Sequence, residues 1–286
     1  SPEREERLLP ESAAAAGLPY VRLQNPIAPE RNVLRRSLLA SVLEVLERNA
    51  RLSERLAFFE IGPVFLPQPG QELPLEQPQL VIVISGRRHL ATWDQPESTH
   101  FDFYDLKGII ESMLDAFHLG AVAFAPAEAS SYHPGKCARI LLGEMPLGIF
   151  GELHPLVKEH YEFGGAPVLA AEIDLQALLA AIPVHYPVQS VPAFPPVLED
   201  IAVVVDEAVP AEKVVQAIRE AGGKMLTRVT LFDIYRGEQI GAGKKSLAYS
   251  LTYQASDRTL TDQEAAQIRQ RIIRRLEQEL AARLRS

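Results

Sequence analysis

Aromatic and cationic side chains concentrate in the last third of the chain. Tyr235, Tyr249 and Tyr253 lie on or near predicted strands, and Lys244 and Lys245 stand where one of these strands begins. An aromatic ring can stack on an unpaired base while a neighbouring cation neutralises a phosphate, which is how a sheet binds single-stranded RNA. Alternation along a strand does not say which face the rings occupy. Core packing is the more common outcome of such a pattern, and RNA binding is the alternative.

Further cations surround the last predicted helix. Arg258 lies in the loop before this helix, which Thr261 or Asp262 can cap. A solvated helix face with cations near its C-terminus is favoured by the helix dipole, and a phosphate-contacting surface is the second interpretation. The residues concerned are Arg269, Arg271, Arg274, Arg275, Arg283 and Arg285.

Residues that could form a metal site or a catalytic pair are few. His133 and Cys137 are spaced as two zinc ligands, but no second pair follows, so a packed thiol beside a loop histidine is expected. Glu152 and His154 could exchange protons, although a structural turn before a helix at Pro155 fits them better. The glycine-rich phosphate loops and the common hydrolase motifs do not occur in the sequence. We therefore expect no catalytic residue and no metal site.

The composition is that of a globular protein with two domains. The chain has 286 residues, 47% of them hydrophobic and 23% charged. With Cys137 as the single cysteine, no disulfide can form within the chain, which favours a cytoplasmic setting. No apolar run is long enough to span a bilayer, so we expect no membrane partner. Because the chain begins with Ser1 and not with Met, we expect it to be part of a longer protein.

The net charge of −8 is unevenly distributed. From Pro195 onward, 14 Lys and Arg residues face 13 Asp and Glu residues, whereas the preceding part carries 15 against 24. The acidic first part would repel a polyanion, and the last part would not. A nucleic-acid contact is therefore expected only in the C-terminal part.

Periodicity predicts a mixed α and β chain in two parts. The stretch 183–196 contains five prolines, which remove backbone donors and stiffen the chain, so it is the predicted linker region. Beyond it, strand, helix, strand, strand and helix with a short edge strand form the split βαβ plan, an antiparallel sheet with both helices on one face. The predicted helices are 33–49, 103–117, 175–182, 210–221 and 261–280, and the predicted strands are 56–66, 80–85, 138–142, 147–153, 168–173, 201–205, 225–235 and 246–253.

Several sequence blocks resemble the C-terminal part of the bacterial phenylalanyl-tRNA synthetase β subunit family. Leu-Phe-Asp-Ile-Tyr-Arg-Gly at 231–237, Gly-Lys-Lys-Ser-Leu-Ala at 243–248 and Asp-Arg-Thr-Leu-Thr-Asp at 257–262 resemble its ferredoxin-fold anticodon-binding domain. Upstream blocks resemble its class II catalytic-like module in the same order. These blocks are Asn-Pro at 25–26, Leu-Arg-Arg-Ser-Leu-Leu at 34–39, Phe-Glu-Ile-Gly at 59–62, Asp-Leu-Lys-Gly at 105–108, His-Pro-Gly at 133–135 and Gly-Glu-Leu-His-Pro at 151–155.

The resemblance implies an α+β chain with three parts. Residues 1–186 would form a class II synthetase-like antiparallel sheet module, residues 187–194 a Pro-rich linker, and residues 195–286 a ferredoxin-like split βαβ domain. In this family the module is a degenerate relative of the catalytic α subunit. The sequence agrees, because no arginine that could hold the ATP α-phosphate follows Val64. Arg139 and Lys136 remain candidates for binding an anion, whereas ATP is not expected.

The resemblance also assigns binding residues and partners. Asp233, Tyr235 and Ser246 are implied to contact the anticodon of phenylalanine tRNA, where a carboxylate can accept hydrogen bonds from guanine and a ring can stack on it. Arg236, Lys244, Lys245 and Arg258 would contact phosphates. The implied partners are this tRNA and the α subunit in an α2β2 heterotetramer, with no DNA. This chain would bind no cofactor, since ATP and Mg²⁺ would belong to the α subunit.

One departure from the family pattern leaves alternatives open. Glu199-Asp200 stands where the family often has Arg-Asp, and the lost positive charge would weaken or shift RNA binding. A structural assembly domain without RNA contact is therefore a second hypothesis. A self-sufficient ligase is the third, and it would require the chain alone to form an adenylate from ATP.

Overall fold

The chain folds as two compact units, residues 1–186 and 187–286, in a computed structural model. The structure describes residues 2–9, 19–120, 122–186, 188 and 191–285. The predicted linker 187–194 belongs to the second unit, and its residues 187, 189 and 190 lie outside the described residues.

The first unit is built on a six-stranded antiparallel sheet with the strand order β1-β2-β6-β5-β4-β3. Its strands are β1 (Arg55–Leu66), β2 (Leu75–Gly86), β3 (Val122–Pro126), β4 (Tyr132–Leu142), β5 (Met145–Leu153) and β6 (Val168–Asp174). Its helices are α1 (Pro2–Glu6), α2 (Leu39–Ala50), α3 (Phe103–Ala116), α4 (Pro155–Glu159) and α5 (Leu175–Ala181), with a 3-10 turn at Pro29–Arg31.

Apolar residues cover both faces of this sheet. Helix α2 buries Leu39, Leu43 and Leu46 against one face, together with Val81 and Val83 of the central strand β2. On the other face, α3 and α5 pack against alternate residues of the same strands. Each fully buried aliphatic side chain contributes about 1.5–3 kcal/mol. Because the sheet is buried on both faces, β2 contains a continuous run of apolar residues and not an alternation of apolar and polar ones.

Several boundaries differ from the sequence prediction, among them the start of β4 at Tyr132 and the unpredicted strand β3. Helix α2 begins at Leu39 and not at residue 33. The backbone N–H of Leu34 donates to the carbonyl of Val21 at 2.9 Å, and the carbonyl of Arg35 accepts from the N–H of Phe65 at 2.8 Å. These tertiary bonds hold the segment extended, although its leucines follow helical spacing. Strand β2 begins at Leu75 and not at residue 80, so the connection from β1 is shorter than predicted.

The second unit contains a four-stranded antiparallel sheet with the order β10-β7-β9-β8. Its strands are β7 (Val197–Asp206), β8 (Leu226–Tyr235), β9 (Lys244–Tyr253) and β10 (Arg283–Leu284). Its helices are α6 (Ala211–Gly222) and α7 (Asp262–Leu280), with 3-10 turns at Gly223–Met225 and Glu238–Ile240. This is the predicted ferredoxin-like arrangement, with a two-residue edge strand closing the order, and the whole chain is α+β.

Both helices of the second unit pack on one face of its sheet. Leu247, Tyr249 and Leu251 of β9 are buried with Ile268 and Ile272 of α7. Strand residues of the opposite parity lie on the other face, which carries no helix formed by the described residues of this unit. We call it the open face, and it bears Leu198, Asp200, Ala202, Val204 and Asp206 of β7, Lys244, Ser246 and Ala248 of β9, and Asp233 and Tyr235 of β8.

Helix α7 ends at Leu280, where its end is predicted. Ala281 takes a left-handed conformation with φ of 49°, and β10 then pairs with β7 as the short edge strand. Arg283 and Arg285, grouped above with the cations of the last helix, lie beyond it. The two arginines consequently lie on the sheet edge.

Candidate nucleic-acid interface

A β-bulge in β8 places Asp233 and Tyr235 on the open face. Leu231 lies opposite Tyr249 and points to the helices, whereas Asp233 lies opposite Ala248. Phe232 is the extra residue between them. Strict alternation from Leu231 would have turned Asp233 and Tyr235 toward the helices, and the inserted residue reverses the phase.

The three predicted anticodon contacts meet at one end of the sheet. Tyr235 lies directly opposite Ser246, and Asp233 is two residues away on the same strand. Asp233 is exposed, and in the described part of the chain its carboxylate joins no ion pair and accepts no hydrogen bond. Tyr235 is half-buried, whereas Ser246 is only 2% exposed between β7 and β8. Asp233 and Tyr235 are therefore open to a ligand, and Ser246 forms the floor beside them.

Two neighbours determine the position of the Tyr235 ring. Arg285 contacts the ring, and Gly237 leaves space for it. The guanidinium carbon of Arg285 lies 4.6 Å from the centre of the Tyr235 ring. This distance is within the range of cation–π attraction. A Cβ atom at Gly237 would come within 2.3 Å of the Tyr235 hydroxyl oxygen. Gly237 has φ of −177°, so it is needed for space and not for backbone conformation.

Arg236 forms a bidentate ion pair beside this site. Its Nε lies 3.1 Å from both carboxylate oxygens of Glu207, and its second guanidinium nitrogen lies 2.8 Å from one of them. The hydrogen bond from Arg236 lowers the pKa of Glu207, which stays ionised. Arg236 is more than half exposed. Its charge is therefore already shared with a carboxylate.

Two lysines complete the same end of the sheet. The Nζ atom of Lys244 donates to Asp206 at 2.7 Å, on the open face. Lys245, on the following position of β9, donates to the backbone carbonyl of Glu207 at 2.8 Å. Lys244 therefore lies on the same face as the predicted anticodon contacts, whereas Lys245 lies opposite Val205 of the core, on the other face.

Arg258 lies elsewhere. It follows the far end of β9, and Ser246 is separated from that end by about 20 Å of strand. Its guanidinium donates to Glu264 at 2.8 Å, and this bond raises the pKa of Arg258. Glu264 also accepts from the backbone N–H of Thr261, while Thr261 Oγ1 accepts from the N–H of Glu264, which forms a capping box. The structure therefore ties Arg258 to the start of α7 and does not bring it to the other predicted contacts.

The other tyrosines of the aromatic group lie in the core. Tyr249 and Tyr253 have no exposed surface and pack beneath the helices. The Tyr249 hydroxyl donates to the carbonyl of Ala211 at 3.2 Å, and burial raises the pKa of both tyrosines, that of Tyr253 to about 12. The core-packing alternative therefore holds for these two, and Tyr235 alone of the three lies on the open face.

The candidate zinc ligands and proton-transfer pair have structural surroundings. Cys137 is buried, which raises its thiol pKa to about 11, and the ring of His133 accepts from the N–H of Gly135 at 3.0 Å. His154 caps α4, and Glu152 pairs with Lys136 at 2.5 Å. Among the described residues, no three His, Cys, Asp or Glu side chains are grouped to hold a metal ion.

In the same part of the chain, no helix is both long and apolar enough to cross a membrane.

Arg139, which the sequence suggests as an anion-binding residue of the first unit, borders a cavity of about 370 Å³ on the sheet. Glu172, Asp174 and Gln79 also line this cavity. Glu172 accepts a hydrogen bond from buried Tyr132 at 3.0 Å, and burial raises the pKa of its carboxyl group. Two acidic side chains beside the single arginine disfavour a triphosphate here.

Arg285 is the site residue that sequence reasoning misplaced. Its contact with Tyr235 depends on the pairing of β10 with β7, which joins positions some eighty residues apart in the chain. The available signal was the cluster of arginines at the C-terminus. Charge alone favours a solvated helix face for this cluster, and it does not show that Arg285 lies beside Tyr235.

Comparison with known protein families gives two matches that together cover most of the chain. Residues 1–175 match the family described as phenylalanyl tRNA synthetase beta chain CLM domain. Residues 192–285 match the ferredoxin-fold anticodon binding domain. The second match includes every strand of the open face.

Curated relatives show the same relationship. The chain is 40% identical to the phenylalanine–tRNA ligase beta subunit of Geobacillus kaustophilus, over 100% of this chain and 35% of that protein. It is 40% identical to the Symbiobacterium thermophilum protein of the same name, over 92% of this chain and 29% of that protein. The Moorella thermoacetica protein of that name is 42% identical, over 93% of this chain and 33% of the relative.

The chain spans about a third of the length of these relatives. Among solved structures, a pyrrolysyl tRNA synthetase from Desulfitobacterium hafniense is 17% identical, with a TM-score of 0.42 over 56% of this chain and 51% of that one. The family assignment rests on the match to residues 1–175 and on the β-subunit relatives, and not on that structure. The chain belongs to the phenylalanyl-tRNA synthetase β chain family.

Proposed function

We propose that this chain is a non-catalytic C-terminal part of a phenylalanine–tRNA ligase β subunit and that its second unit binds the anticodon of phenylalanine tRNA. The observation that carries this proposal is the bulge at Phe232, because it puts Asp233 and Tyr235 together on the open face. A nucleotide can approach that face without displacing α6 or α7. The family match to residues 192–285 supports the same role.

The chemistry of the site fits guanine, the first base of the phenylalanine anticodon. The Watson–Crick edge of guanine carries neighbouring N–H donors, and the carboxylate of Asp233 has unused acceptor capacity. Tyr235 presents an aromatic ring two residues away on the same face. Stacking on such a ring contributes about 1–3 kcal/mol per base. Arg285 lies against this ring, so it would meet the same nucleotide.

Phosphate binding would use cations that are already paired. Arg236 and Lys244 each contact a carboxylate, and Lys245 contacts a backbone carbonyl. A phosphate must compete with Glu207 and Asp206 for these cations. The phosphate contribution to affinity is therefore smaller than the number of cations suggests, and we propose Arg258 only as an additional contact at the far end of the sheet.

We propose that the first unit docks the catalytic α subunit in an α2β2 heterotetramer. Strand β1 is the last strand of its sheet, and its residues Phe59 and Ile61 are 71% and 57% exposed. They lie opposite Ile82 and Leu80, which are buried under the helices of that face. An exposed apolar edge strand of twelve residues is a surface that proteins normally cover.

The reaction itself would take place on the α subunit in the cytoplasm. ATP and Mg²⁺ would be bound there, as the family resemblance implies. The acidic residues Glu172 and Asp174, which line the cavity beside Arg139, disfavour ATP in this chain. We propose no catalytic residue, metal or cofactor site in this chain. Its contributions would be the position of the tRNA and the assembly of the enzyme.

The test separates tRNA binding from chemistry. In the complete enzyme, Tyr235→Ala and Asp233→Ala should each weaken the binding of phenylalanine tRNA at least about fivefold while adenylate formation stays close to that of the wild type. Glu212→Ala is the control, because Glu212 is exposed at the start of α6 and away from the open face. Normal tRNA affinity with lost adenylate formation would refute the assignment.

A structural assembly domain without RNA contact is the second candidate. The burial of Ser246 and the carboxylate partners of Arg236 and Lys244 favour it. A gel shift of the 286-residue chain with transcribed tRNA, at low and at moderate salt, distinguishes the two. Retention of the shift at moderate salt supports anticodon binding, and absence of a shift at both supports assembly alone.

A further inference from the structure

Phe232 is a large apolar residue on the surface of the second unit. Its side chain is 58% exposed. It does not belong to the buried core between the sheet and the helices, nor to the partly buried residues packed on that core. The neighbouring strand residues Val229 and Leu231 do pack there. The exposure of Phe232 therefore follows from its position in the bulge and not from a loosely packed strand.

The bulge associates Phe232 with the open face. In a bulge, two residues of one strand oppose a single residue of its partner. Phe232 and Asp233 together oppose Ala248, whose side chain is on the open face. Phe232 is also three residues from Tyr235, or about 10 Å along the strand. Two aromatic rings thus flank Asp233 at the same edge of the sheet.

We propose that Phe232 is a second base-stacking residue, which receives the nucleotide next to the one on Tyr235. This inference rests on the anticodon-binding function proposed above. Sheets that bind single-stranded RNA commonly stack successive bases on separate aromatic side chains. Asp233 would select the first anticodon base, and Phe232 would stack on the second base without reading its edge.

The charges around the edge strand agree with a nucleic-acid ligand. Arg228 is exposed on the open-face side of β8, and within the described part of the chain it has no carboxylate partner. Arg236 follows the other end of the strand. Phe232 and Tyr235 therefore lie between two cations along one strand, as expected when the phosphates of an extended RNA follow the edge.

Fluorescence of a modified RNA tests the inference. The probe is an anticodon stem-loop of phenylalanine tRNA with 2-aminopurine, whose emission falls when it stacks, at the second anticodon position. With the 286-residue chain, binding should quench the probe. Phe232→Leu should remove most of the quenching and weaken affinity at least about fivefold, whereas Phe232→Trp should retain both. Leu198→Ala is the matched control, because Leu198 is 68% exposed on the open face of β7.

Each outcome distinguishes this inference from the function on which it rests. If Tyr235→Ala weakens binding and Phe232→Leu changes neither quenching nor affinity, Phe232 is not a stacking residue and the anticodon site stands. If neither variant affects RNA binding, the proposed function fails as well. If Phe232→Leu lowers co-purification with the catalytic subunit while RNA affinity is unchanged, Phe232 belongs to a protein interface and the inference is overturned.

Discussion

Tyr235 lies directly opposite Ser246 in the β8–β9 ladder, on the sheet face that carries no helix of its own unit. Tyr249, three residues further along β9, lies on the other face and is completely buried. Tyrosines on adjacent strands therefore lie on opposite faces of the sheet. The difference depends on a single inserted residue, Phe232, which sets the phase of the end of β8.

Substitution of Gly237 tests whether the position of the Tyr235 ring matters. A Cβ atom at residue 237 would overlap the Tyr235 hydroxyl group, so Gly237→Ala should displace the ring from Arg285. We expect tRNA affinity to fall toward that of Tyr235→Ala, with little change in melting temperature. Gly165→Ala is the control, since a Cβ atom there meets nothing within 4 Å. Unchanged affinity in Gly237→Ala would show that the orientation of the ring is unimportant.

Removal of the Glu207 charge should leave more of the Arg236 charge for phosphate binding. Glu207→Gln is expected to raise tRNA affinity and to make the slope of log K against log salt more negative by about 0.7. Titrations at several salt concentrations measure both quantities. Glu220→Gln is matched, because Glu220 also pairs with an arginine, Arg275, but on the helices. A slope shared by the wild type and Glu207→Gln would exclude Arg236 as a phosphate contact.

The stability of the protein in acid should depend on the capping box of α7. Hydrogen bonds from Thr261 and Arg258 lower the pKa of Glu264 from an ordinary 4.5 to about 2. The ionised carboxylate therefore stabilises the folded state fully above pH 4.5, and this stabilisation is lost as the pH falls to about 2. Denaturant unfolding should find Glu264→Gln less stable than the wild type at pH 6, with a difference that shrinks toward pH 2. A difference independent of pH would contradict the assignment, and Glu277→Gln, exposed near the other end of α7, is the control.

The exposed edge of the first sheet should be needed for assembly. Combined Phe59→Ser and Ile61→Ser substitutions should reduce co-purification of the catalytic subunit when the complete β subunit is expressed with it. Both side chains are exposed, so the fold should be retained. Leu73→Ser is the control, since Leu73 is 78% exposed between β1 and β2. Undiminished recovery of the catalytic subunit would show that the interface lies elsewhere.

The sequence predicted the shared face of Asp233 and Tyr235 but not which face it was. Residues two positions apart on a regular strand have their side chains on the same face of the sheet. The choice of face depends on the bulge, and a bulge leaves no simple mark in the sequence because Phe232 fits the apolar pattern of its neighbours. The anticodon role of these residues is implied by family resemblance and stays a prediction, and the geometry shows that both lie on the open face.

The remaining differences come from hydrogen-bond partners that periodicity and charge do not show. Residues 33–38 follow helical spacing, but their backbone pairs with Val21 and Phe65. Arg285 directly follows β10, and its backbone N–H donates to the carbonyl of Ala202 at 2.8 Å. Arg258 has the right charge for a phosphate contact, but Glu264, six residues further along the chain, binds it at the start of a helix.

The most direct test of the account is a double-mutant cycle between Asp233 and the guanine amino group. The dissociation constants of the 286-residue chain are measured for anticodon stem-loops with guanine or inosine at the first position, because inosine lacks only that amino group. In the wild type, inosine should weaken binding about tenfold, the cost of a hydrogen bond to a charged acceptor. In Asp233→Ala, which has no side-chain acceptor, inosine and guanine should bind about equally. Equal inosine penalties in the two proteins would show that Asp233 does not contact the base, and the central claim would be wrong.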